Sequence, residues 1–107
     1  MTEKFVSVFP RPTPREAEVL QIIIEECAEV QHRITKAMRF GLEESQRDQD
    51  KTNRQRIAME VGDLYAILNV AIRENILSSD IMQFQRSIKF GKLDKYMQTT
   101  TELVEKS

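Results

Sequence analysis

The sequence predicts an all-α protein: an antiparallel helical hairpin followed by a third helix, with a four-helix-bundle core completed by oligomerisation. Three observations carry that prediction. Apolar residues recur at the three- and four-residue spacing of helices instead of alternating. Residues that start and stop helices bracket the periodic stretches. The prolines cluster at Pro10, Pro12 and Pro14, so none interrupts the chain beyond that point.

Residues 1–12 read as an extended arm, with Phe5, Val6, Val8 and Phe9 ahead of the prolines. Thr13-Pro14-Arg15-Glu16 then announces a helix. Thr13 suits the N-cap, Pro14 the first helical position, and Glu16 completes a capping box. The periodic pattern runs to about Phe40, where Gly41 supplies a stop. Residues 42–53, LEESQRDQDKTN, are polar and lack glycine and proline, so they suit either a loop or the early turns of the next helix.

The helical period returns from about Asn53 to Glu74 through Ile57, Val61, Leu64, Ile67, Leu68 and Ala71, with Asn75 as a left-handed stop. Ser78 or Ser79 caps a third helix over about 80–97, with Gly91 as a potential break. Residues 13–98 thus form the domain and 99–107 a weakly specified tail. Three helices in about 100 residues make a thin core, and an amphipathic hairpin needs a cover for its apolar face. A homodimer or homotetramer is the natural completion.

The totals exclude several classes of function. A net charge of −1 over 107 residues provides no field for nucleic acid or an anionic membrane. No apolar run approaches the roughly 20 residues of a membrane span. Cys27 is the single cysteine, so no internal disulfide forms. The N-terminus shows neither an apolar h-region nor a cleavage signal. The expected location is the cytoplasm.

One stretch runs against ordinary patterning. Residues 22–30, IIIEECAEV, set three glutamates among isoleucine, alanine, cysteine and valine. At about 100° per residue, Leu20, Ile23, Cys27, Val30 and Ile34 make an apolar stripe with Glu26 at its edge. Glu29 lies about 60° further round, with Ile22 between them, and Glu25 lies further still toward solvent. In the second helix, MEVGDLYAIL, Glu60 falls inside the apolar sector and Asp63 sits about 60° away. Gly62, between them, leaves room for a close approach by a backbone or ligand.

The chain therefore carries two i,i+3 acid pairs, Glu26/Glu29 and Glu60/Asp63, each beside a packing face. In an antiparallel hairpin the pairs can face each other, and their levels match best if the second helix begins early, within residues 43–50. Four clustered carboxylates need protons, basic side chains or cations. Hard oxygen donors without thiolates favour Mg²⁺ or Mn²⁺. Acids and divalent metal inside a bundle suit phosphate chemistry.

Glu25-Glu26-x-x-Glu29 followed by Glu60-x-x-Asp63 resembles the EExxE…ExxD signature of MazG-type, all-α nucleoside triphosphate pyrophosphohydrolases, over about residues 16–97. The resemblance implies an oligomeric four-helix core and Mg²⁺, with Mn²⁺ as substitute, held by Glu26, Glu29, Glu60 and Asp63. It implies hydrolysis of a nucleoside triphosphate to monophosphate and pyrophosphate by a metal-activated water. Glu25 and Glu26 are the catalytic candidates, Glu25 as the group that orients or deprotonates that water or as an outer-shell ligand. Family members place basic residues on a C-terminal helix, for which Lys89, Lys92 and Lys95 are the candidates. Arg33, Lys36, Asn53 and Arg56 are further candidates for contact with substrate. The short single-domain form is similar to short stand-alone members, some of which act on purine deoxynucleotides.

Two other readings remain open. Glu29-Val30-Gln31-His32 is a Glu-x-x-His, the unit of di-iron and di-manganese carboxylate bundles. This chain has one histidine, so a symmetric dimer would have to supply the second. Alternatively, the acids are salt-bridged in a non-enzymatic helical module; Arg33, four residues after Glu29, offers such a bridge.

Overall fold

The computed structural model describes residues 8–47 and 49–99. Among these it has three α-helices and no strand: α1, Pro14–Phe40; α2, Asn53–Arg73; and α3, Ser79–Tyr96. Of the expected arm, residues 8–12 are non-helical and exposed, and 1–7 lie outside the described residues, as does the tail beyond Thr99. Among the described residues no helix is long and apolar enough to cross a membrane.

Helix α1 starts as its sequence dictates. The Thr13 hydroxyl accepts from the Glu16 N–H at 3.1 Å. The Glu16 carboxylate accepts from the Thr13 N–H at 2.8 Å, closing the capping box. At the other end Gly41 has φ +101°, a conformation that favours glycine, and its N–H donates to the Ala37 carbonyl at 2.8 Å. Helix α2 opens on a second capping box, Thr52 with Gln55. It closes through Asn75 at φ 61°, after which the Ile76 N–H returns to the Ala71 carbonyl at 2.8 Å.

Three contacts show that α1 and α2 run antiparallel. At the open end Arg15 binds Glu74 through two hydrogen bonds, of 2.9 and 2.6 Å. Midway, Arg33 Nε lies 3.5 Å from Glu60 Oε2. At the connected end Asn53, 2% exposed, donates from its amide nitrogen to the Gly41 carbonyl and to Glu44 Oε1, each at 2.9 Å. Val19, Ala37 and Ala71 are the buried apolar residues among those described, a thin core as expected.

Two expectations need correction. Helix α2 does not begin within residues 43–50; it begins at Asn53. The start of α2 is tied straight to the end of α1, with the Asn53 N–H on the Glu44 carbonyl and the Arg54 N–H on the Leu42 carbonyl, both 2.9 Å. The connecting segment is thus set aside as a loop and adds no helical length. Nor does Gly91 break α3, which is continuous from Ser79 to Tyr96. A glycine costs a helix about 1 kcal/mol against alanine, too little by itself to end one.

The chain divides into two compact units, one through Ile76 and one from Leu77. The first is the hairpin. The second contains α3, capped by the Ser78 hydroxyl on the Ile81 N–H at 3.2 Å. Its side chains Ile81, Phe84 and Phe90 are exposed.

Candidate metal centre

The hairpin gathers Glu26 from α1 with Glu60 and Asp63 from α2. One carboxylate oxygen of each lies within 4.8 Å of the other two. Glu60 and Asp63 share a face because residues three apart on a helix are neighbours. Glu26 reaches them despite the late start of α2. Asp63 sits about ten residues, or 15 Å, into α2, while Glu26 sits about fourteen residues, or 21 Å, before the end of α1. This axial difference of about 6 Å does not keep the carboxylate oxygens of the two helices apart.

Glu26 and Glu60 are half-buried and Asp63 is exposed. The Glu26 carboxyl is pushed above the usual carboxylate range, first by desolvation and then by the charges of Asp63, Glu60, Glu29 and Glu25. Glu29 therefore acts on the cluster electrostatically, but it is exposed and stands outside the trio of mutually close oxygens. Glu25 is exposed as well. A Cβ at Gly62 would meet nothing within 4 Å, so within this chain no neighbouring backbone uses the space left there.

Arg33 departs from its expected bridge to Glu29. Its guanidinium crosses the hairpin to Glu60, and the two side chains are 19% and 17% exposed. Arg33 Nε is buried without a hydrogen-bond partner. The sequence carries half of this: Arg33 follows Glu26 by about two helical turns and so shares its face, but its spacing does not point to Glu60.

The other candidates are dispersed. Lys36 is half-buried, one turn beyond Arg33. Asn53 is occupied in the joint between α1 and α2, where both amide hydrogens are used. Arg56 donates from Nη2 to Gln49 Oε1. Lys89, Lys92 and Lys95 are exposed on α3, in the second unit, and Lys95 lies 5.7 Å from the ring centre of Tyr96. His32 is exposed and is not in the trio.

The trio suits a hard divalent cation. Oxygen ligands about 2.0–2.1 Å from one Mg²⁺ are about 3 to 4 Å from each other, so a small inward adjustment of these carboxylates would close the set. A cation there would also relieve the mutual repulsion that raises Glu26. No family model, curated protein or solved structure matches the chain.

Proposed function

We propose that the protein is a divalent-metal-dependent pyrophosphohydrolase that converts a nucleoside triphosphate, with a purine deoxynucleotide as the expected substrate, to the monophosphate and pyrophosphate. The observation that carries this reading is the meeting of Glu26, Glu60 and Asp63 across two helices. These are three of the four acids that the resemblance to MazG-type enzymes assigns to metal. Glu29, one turn after Glu26, is the fourth and stands outside the trio in the single chain.

Bound Mg²⁺ or Mn²⁺ supplies charge neutralisation for the phosphates and a water of lowered pKa. Glu60 and Asp63 hold the α2 side of the cage on one rigid helical face. Glu26 holds the α1 side, and a bound cation would relieve the repulsion that raises its carboxyl in the metal-free chain. Glu25, beside it on the exposed side, orients that water or the outer shell. Lys36 and Arg56 on the hairpin are basic donors for phosphate oxygens, and the resemblance assigns the same role to Lys89, Lys92 and Lys95 of α3.

The working form is a homodimer or homotetramer. Exposed Ile24, Met38, Met59 and Tyr65 support this, because the hairpin leaves these large apolar side chains uncovered. The test is a pyrophosphate-release screen over the common ribo- and deoxynucleoside triphosphates with Mg²⁺ and with Mn²⁺. Turnover of one nucleotide class, lost in Asp63→Asn, is the expected result. Silence across the panel, together with a melting temperature indifferent to Mn²⁺, would leave the acids as a salt-bridged structural cluster.

A further inference from the structure

We infer that Arg33 is a built-in counter-ion of the acid cluster, holding Glu60 in the metal-free protein and releasing it when a divalent cation binds. The inference rests on the metal-binding reading of the cluster and adds a residue that no ligand set includes. Its guanidinium lies between the helices with Nε 3.5 Å from Glu60 Oε2, and both side chains are less than one fifth exposed. Three carboxylates with oxygens within 4.8 Å of one another would otherwise face each other without a cation. Arginine is the residue for that place, since its charge persists at every working pH.

The geometry is that of a charge placed for compensation rather than a tight clasp. Arg15 and Glu74 show what a closed arginine–carboxylate pair looks like in this protein: two hydrogen bonds, at 2.9 and 2.6 Å, at an exposed site. Arg33 instead leaves its buried Nε–H without an acceptor. Such a pair offsets the charge of Glu60 while forming no hydrogen bond that must break on exchange. A divalent cation entering among Glu26, Glu60 and Asp63 meets the guanidinium as a like charge at the same carboxylate. The two compete for the charge of Glu60, and the long arginine stem on α1 lets its head move aside.

Calorimetric titration of Mn²⁺ into the full chain tests this, comparing wild type, Arg33→Gln and Arg39→Gln. Arg39 is exposed at the end of α1 and controls for simple loss of a positive charge. Arg33→Gln should bind Mn²⁺ about tenfold more tightly, a change of about 1.4 kcal/mol. It should melt below wild type without metal and level with it at saturating Mn²⁺. Arg39→Gln should stay within about twofold of wild type. Unchanged or weaker binding by Arg33→Gln, or equal tightening by Arg39→Gln, would overturn the inference. If Arg33→Gln does not fold, the Nε–H resonance of Arg33 in wild type is followed during Mg²⁺ titration. It should move in step with metal occupancy, and a resonance that stays fixed to saturation refutes displacement. Wild type that takes up no metal at all would mark failure of the metal reading itself, and the inference would fall with it.

Discussion

The carboxylates of Glu26 and Asp63 stand on different helices and meet: an oxygen of each, with one from Glu60, lies within 4.8 Å of the others. The hairpin has thus brought like charges together, and repulsion and desolvation both disfavour ionisation of Glu26. Such an arrangement is costly for the folded chain without a cation and becomes favourable with one.

Glu26 reports that cost as a pH dependence. Its folded pKa is raised above the ordinary glutamate value of 4.5, so the folded chain binds more protons than the unfolded chain just above that pH. Stability of the metal-free protein therefore falls as pH rises from the ordinary value through the raised one. Glu26→Gln removes the titration. Its melting temperature should exceed that of wild type at pH 7 to 8, and the gap should shrink toward zero by about pH 4. Thermal melts of both proteins in a chelator, across that range, check the sign.

Glu74 titrates in the opposite sense. The hydrogen bond and charge of Arg15 hold its carboxyl below the ordinary value. The stabilisation from this pair is present above the ordinary glutamate pKa and is lost as pH falls through the depressed one. Glu74→Gln should lower the melting temperature at pH 7 and leave it unchanged near pH 2. Because the pair is exposed, raised salt should shrink the pH 7 difference.

What was legible in the sequence was local. Thr13, Glu16, Gly41 and Asn75 act within one turn of their own backbone, and the structure uses each where its residue type predicts. The box of Thr52 and Gln55 is equally local and can be found by the same rule. The i,i+3 spacing of Glu60 and Asp63 also follows from helix geometry alone. Register between helices does not: it depends on the joint at Asn53, which ties α2 to the end of α1. That joint decides that Glu26 reaches the trio while Glu29 remains outside, and that Arg33 pairs with Glu60. The spacing of Arg33 from Glu26 shows a shared face, but the partner across the hairpin appears only in three dimensions.

The joint itself should be expensive to disturb. Asn53→Ala removes two hydrogen bonds made by a buried side chain, so it should cost about 2 kcal/mol. Gly41→Ala should cost a similar amount, about 1–3 kcal/mol, entirely through backbone strain at φ +101°. A Cβ there would meet nothing within 4 Å, which removes steric crowding as an explanation. Denaturant unfolding with an unchanged m-value would verify both costs as losses of folded-state stability.

The two acids of α2 should separate in a way that tests the site and its charge balance together. Asp63→Asn removes an exposed like charge that has no cation beside it, so the metal-free protein should melt higher than wild type. Glu60→Gln removes a like charge too, but it also strips Arg33 of its half-buried partner. The guanidinium then remains among fewer charges of opposite sign, and the relief is cancelled or reversed. Glu60→Gln should therefore melt below Asp63→Asn in chelator, although each substitution removes one negative charge from the same cluster. With Mn²⁺ that order should persist, because each lacks a carboxylate ligand. Neither should gain the stabilisation that wild type gains, and each should lose pyrophosphate release by about 100-fold or more. Melts with and without Mn²⁺, followed by turnover assays on the same preparations, check both halves. Equal apo stabilities with unimpaired turnover would remove Glu60 and Asp63 from the metal site and Arg33 from its balance.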